Sequence, residues 1–150
     1  DNQLTELPRL PSTLVTLYCS DNQLTQLPCL PSTLVSLHCS LNRLTKLPIL
    51  PQGLVTLHCN YNKLTLLPPL PSTLVTLGCS ANRLTELPIL PLTLVTLYCF
   101  SNRLTHLPAI LPSTLVILWC SGNRLTQLPT LWHSDARAIN WHIYPFYPRL

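Results

Sequence analysis

Residues 14–33 read LVTLYCSDNQLTQLPCLPST, and this stretch decides the fold because the chain repeats it in register. Asn22 recurs as Asn42, Asn62, Asn82 and Asn102 at steps of twenty, then as Asn123 after one extra residue, and Asn2 stands twenty before it. The shared frame is LxxLxCxxNxLxxLPxLP, with Leu14, Leu17, Cys19, Asn22, Leu24, Leu27, Pro28, Leu30 and Pro31 in its fixed places. A period this short describes one small unit that buries its apolar residues only by stacking on copies of itself, which is a solenoid.

Within the unit, Thr16-Leu17-Tyr18-Cys19-Ser20 alternates polar and apolar residues, the pattern of a short strand with Leu17 and Cys19 inward and Thr16, Tyr18 and Ser20 outward. Asn22 falls at the bend that follows, where its amide can satisfy backbone groups of the turn and of the next coil. A structural ladder of Asn22, Asn42, Asn62, Asn82, Asn102 and Asn123 is therefore expected. Pro28 and Pro31 fix φ and remove backbone donors, so the return segment cannot be a helix and should run extended, near polyproline II. The predicted architecture is a right-handed solenoid with little helix. Parallel strands line its concave face at about 4.8 Å per coil, and an extended convex side closes each turn.

The frame resembles the leucine-rich repeat, LxxLxLxxNxL, and the twenty-residue period with LPxLP is similar to the short bacterial subclass of that family. Secreted effectors of pathogens carry this subclass, among them the recognition domains of the IpaH-type ubiquitin ligases. The resemblance covers nearly seven-eighths of the chain. It implies a horseshoe whose concave sheet binds a protein or peptide without catalysis, or else the substrate-recognition part of a larger effector ligase. Cysteine stands where the subclass more often has Val or Leu. A ligase would need a further domain, so the likeness reaches the recognition part only.

Composition agrees with a packed repeat. Of 150 residues, 47% are hydrophobic, 9% are charged, 16 are Pro and 3 are Gly. That is too apolar for disorder, while proline interrupts every run well short of the roughly 18 apolar residues of a membrane span. The chain opens at Asp1 with neither a methionine nor a basic segment followed by an apolar one, so a fragment or processed product without a signal peptide is expected. Repeats are assigned to residues 1–129. Residues 130–150 break the period and bring Trp132, Trp141, Tyr144, Phe146 and Tyr147, which suits an aromatic cap or a truncated tail, with a short helix from Asp135 to about His142. No cap precedes the first coil in this sequence, so Leu4 and Leu7 are expected against solvent unless more chain precedes Asp1.

Six of seven cysteines, Cys19, Cys39, Cys59, Cys79, Cys99 and Cys120, occupy one inward column, with Cys29 apart. In-register neighbours on parallel strands point the same way at close to 5 Å, whereas a disulfide brings Cβ atoms to about 3.8 Å. A straight column also does not converge on a metal. The thiols read as small buried hydrophobes that stay reduced, which favours action in a cytosol, including a host cytosol for a secreted effector.

Catalysis has little to draw on: the five acids, Asp1, Glu6, Asp21, Glu86 and Asp135, are scattered, and alternation separates His38 and His58 from their neighbouring cysteines. The three glycines stand alone, so no phosphate loop is present. No enzyme activity, cofactor or metal is expected.

Outward positions differ between repeats and are free for recognition. The central column is Tyr18, His38, His58, Gly78, Tyr98 and Trp119, flanked by Phe100 and, one residue further, Tyr61. Tyr61, Tyr98, Phe100 and Trp119 are candidate partner anchors, because such rings supply large contact area at low entropy cost; stacking on one another for sheet stability is the competing role. Gly78 would interrupt the stack and leave a pocket floor. A basic stripe of Arg43, Lys63, Arg83, Arg103 and Arg124 follows the asparagines. Its like charges favour an acidic partner or simply keep an apolar solenoid soluble. With net charge +4, nucleic acid is a second alternative, disfavoured because no helix or arm is available to read a groove.

Overall fold

The computed structural model describes residues 2–127; the segment 130–150 and its expected helix lie outside the described residues. Six three-residue strands recur once per repeat: β1 Thr16–Tyr18, β2 Ser36–His38, β3 Thr56–His58, β4 Thr76–Gly78, β5 Thr96–Tyr98 and β6 Ile117–Trp119. They form one parallel sheet in chain order, β1 to β6, and no helix occurs among the described residues. Equivalent residues pair throughout, Leu17 with Leu37 and so on to Leu97 with Leu118. The ladder outruns the strands, with Cys19 N donating to His38 O at 2.8 Å and Asp21 N to Ser40 O at 3.0 Å.

Alternation fills the core as the pattern requires. Leu37, Leu57, Leu77 and Leu97 point inward from the strands and are fully buried, stacked with Leu34, Leu54, Leu74 and Leu94 and with Cys39, Cys59, Cys79 and Cys99. Each interior leucine touches its counterparts in the coils on both sides, so truncating one to Ala costs about 2–5 kcal/mol. In the first coil Leu4 is exposed and Leu7 half-buried.

The asparagines tie coil to coil. Asn42 Oδ1 accepts from Leu24 N at 2.9 Å, while its Nδ2 donates to Cys19 O at 2.9 Å and to Cys39 O and Ser40 O at 3.2 Å. Asn62, Asn82 and Asn102 repeat this arrangement, with Asn22 and Asn123 at the less buried ends.

On the opposite side each coil turns at Pro-Ser-Thr or its equivalent, where Leu34 N donates to Pro31 O at 3.1 Å. The threonine of this turn makes a second ladder, since Thr33 Oγ1 donates to Ser12 O and Leu14 O of the preceding coil, both at 2.8 Å. Thr73, Thr93 and Thr114 do the same. Gly53 holds the equivalent place in its coil and offers no hydroxyl. The one extra residue of the twenty-one-residue repeat is absorbed in Leu107-Pro-Ala-Ile-Leu-Pro112, where Ala109 and Ile110 bend outward, so strand register is unchanged between β5 and β6.

Candidate protein-interaction surface

The outer face of the sheet carries two ring clusters, not one column. Toward the N-terminus, Tyr18, His38 and His58 stack with centroids 4.4 and 4.9 Å apart and planes within 24° and 16°. Toward the C-terminus, Tyr98 meets Trp119 edge-on at 5.0 Å, and Phe100 lies 6.4 Å from Trp119. Between them Gly78 is buried, and a Cβ there would come within 2.8 Å of Asn60 Nδ2 and 2.9 Å of His58 Nδ1. The pocket floor expected at Gly78 is therefore roofed over. His58 and Asn60 lean into the space that a side chain would have taken, and Asn60 is pinned there by Ser80 N, which donates to its Oδ1 at 2.8 Å.

His38 Nε2 lies 2.9 Å from Ser36 Oγ in hydrogen-bond contact. Burial in the stack lowers the His38 pKa below its usual 6.5. It also lowers that of His58, with the His38 charge adding to the effect. Protonation thus works against the stack, as expected for parallel rings in van der Waals contact.

Tyr61 stands apart from both clusters. It is half-exposed on the turn after the strand, in a left-handed conformation (φ 54°), as are Asp21, Leu41, Ala81 and Ser101 at the same place in their coils. At the next such turn the residue is Gly122 (φ 64°). Two residues on lies the basic stripe: Arg43, Lys63, Arg83, Arg103 and Arg124 are all exposed, and each backbone N–H donates to the coil before, Arg43 N to Leu24 O and Arg83 N to Leu64 O among them. Their backbones are consequently held in register, one cation per coil.

No protein-family model matches this chain, and no curated protein sequence does. Solved structures do match. The Shigella effector leucine-rich-repeat domain superposes with a TM-score of 0.74 at 35% identity, over 83% of this chain and 67% of that one. YopM from Yersinia pestis gives 0.74 at 34% identity over 85% of this chain and 43% of that one. YopM from Yersinia enterocolitica gives 0.69 at 39% identity over 87% and 34%. The chain belongs to the bacterial effector-like leucine-rich-repeat proteins. It spans about a third of the length of the enterocolitica YopM structure. Domains of this kind are protein-interaction modules, and the arrangement of this chain is that of such a module.

In this leucine-rich-repeat protein the inward cysteines are all free thiols. Burial pushes Cys19 up to about 11 and Cys59 up to about 12. Cys39, Cys79 and Cys99 are also pushed well up, by burial first and then by neighbouring cysteines of the column. None is a thiolate at neutral pH, so none is nucleophilic in the folded chain. Cys29 is exposed on the proline side. Among the described residues no three His, Cys, Asp or Glu side chains are placed to hold a metal ion, and no helix there is long and apolar enough to cross a membrane.

Reading the sequence for recognition positions on the strand side passes over the proline side, which is also apolar. Ile49, Ile89, Leu92 and Ile110 are largely exposed there, and Leu70, Ile89, Leu92, Ile110 and the nearby prolines line a hollow of about 740 Å³. The signal was present in the x of LPxLP, which is Cys29, Ile49, Pro69 and Ile89 in successive coils.

Proposed function

We propose that the chain is a noncatalytic recognition module that holds a protein or peptide against the outer face of its sheet, with Tyr98, Phe100 and Trp119 as the main anchors. One observation carries this reading: the three rings meet on the outer face of the sheet, while leucines fill its inner face. Tyr18, His38 and His58 extend the same face, and the basic stripe steers acidic partners toward it. Reduced thiols suit action in a cytosol, a host cytosol included. The test is a salt-graded pull-down from cell lysate with the wild-type chain beside a Tyr98→Ala/Trp119→Ala variant, each checked for folding by circular dichroism. A protein retained by wild type and lost from the folded variant supports the reading; equal retention by both removes it. A second reading, the substrate-recognition part of a larger effector ubiquitin ligase, draws on the likeness of the LPxLP repeats to that class. Sequencing the encoding gene beyond residue 150 tests it through the presence of a helical domain with a catalytic cysteine.

A further inference from the structure

The ridge beside the sheet carries both cations and apolar side chains. Arg43, Lys63, Arg83 and Arg103 project from successive coils, and Leu41 and Tyr61, half-exposed, stand two residues before the first two of them, within about 7 Å along the chain. Leu and Tyr are poorly suited to the left-handed turn they occupy, where Gly or Asn would be unstrained. Their presence there sets an apolar edge along a row of cations.

The repeat distance of the row selects the shape of what can match it. Coils rise about 4.8 Å, so four cations span about 14 Å. An extended peptide presents same-face side chains every 6.6–6.8 Å or so and falls out of step by about 2 Å per coil. An α-helix presents one face every 5.4 Å or so and drifts by only about 0.6 Å per coil, which long Arg and Lys side chains absorb. A phosphate backbone matches the charge but makes no use of Leu41, and Tyr61 is the single ring on this ridge for a base to stack on.

We infer that the ridge of Leu41, Tyr61, Arg43, Lys63, Arg83 and Arg103 docks an amphipathic α-helix lying along the solenoid axis, with Asp or Glu at three- and four-residue spacing facing the cations and an apolar residue against Leu41 and Tyr61. This rests on the proposed function for the premise that the chain recognises protein, and it shares the basic stripe with that reading, but its docking surface is the ridge and not the rings of the sheet face.

The experiment is fluorescence anisotropy on the full chain with three labelled probes. These are a 15-residue Ala-based helical peptide carrying Glu and Leu at that spacing, a peptide of the same charge with two central prolines, and a 15-nucleotide single-stranded DNA. Expected is saturable binding of the helical peptide, weakened about tenfold by raising NaCl from 50 to 200 mM and at least about tenfold by Arg83→Glu/Arg103→Glu, with Arg83→Gln/Arg103→Gln between. Leu41→Ser weakens it by a smaller factor, and Tyr98→Ala/Trp119→Ala leaves it unchanged. All substituted positions are outward, and circular dichroism verifies folding. Equal or tighter binding of the proline-broken peptide or of DNA overturns the inference, as does indifference to charge reversal. Helix binding that needs Tyr98 and Trp119 but not the arginines overturns it too while leaving the sheet-face reading intact.

Discussion

The strand side and the proline side of each coil are held together by different chemistry. On the strand side a row of asparagines, buried from Asn42 to Asn102, bonds backbone groups of its own coil and of the one before. On the proline side the polar ties are threonine hydroxyls in exposed turns, and that ladder is broken at Gly53. Polar substitutions should therefore be far more costly at the buried asparagines of the strand side than in the exposed turns of the proline side.

The largest effect is expected from Asn62→Ala. It strips a buried acceptor from Leu44 N at 2.9 Å and a donor from Cys39 O at 3.0 Å and from Cys59 O and Asn60 O at 3.2 Å. The loss should be about 3 kcal/mol or more by urea unfolding. Gly53→Thr should act in the opposite direction on the proline side. It restores a hydroxyl to the break and removes a glycine from a turn whose φ is not left-handed, so a gain of about 1 kcal/mol is expected by the same measurement. A null result there would mean that the threonine ladder contributes nothing. Ser80→Ala sharpens the contrast within the strand side itself. Ser80 Oγ is the one buried side-chain polar atom among the described residues without a hydrogen-bond partner, so its removal should be neutral or slightly stabilising, whereas loss of Asn62 is not.

Acid and alkali probe the two columns of the same strands. Inward thiols have folded pKa values above the ordinary 9.0, so the folded chain retains protons that the unfolded chain releases, and stability should fall as pH rises above about 9. Outward, His38 and His58 have folded values below 6.5; the unfolded chain takes up protons first, and stability should fall as pH drops below about 6.5. Replacing both histidines with Gln should remove the acid limb and leave the alkaline one, as read from thermal melts across pH. Thiol labelling at neutral pH should find Cys29 quickly and the buried column only after unfolding.

Strand positions were legible because Leu17 and Cys19 alternate with polar neighbours, and the extended return because Pro28 and Pro31 exclude helix. The left-handed turn was not. Leu41 and Tyr61 are residues that avoid that conformation, and only Asp21 and Gly122 hint at it. The threonine ladder was hidden too, since Pro-Ser-Thr reads as an ordinary turn until a second coil is laid beside it. Gly78 misled in the other direction. A missing side chain suggests a hollow in one strand, but in a parallel stack the neighbours His58 and Asn60 fill it. The outward rings could be named from the sequence; that they divide into a Tyr18–His38–His58 stack and a Tyr98–Phe100–Trp119 cluster depends on that filling.

A paired thermal melt of Asn62→Ala and Tyr98→Ala/Trp119→Ala separates residues that build the coil from residues that the coil displays. If the rings serve recognition, Asn62→Ala lowers Tm by about 6 °C or more while the double ring variant shifts it by only a few degrees. A double ring variant that melts as early as Asn62→Ala would contradict this, making the outward rings part of what holds the solenoid together.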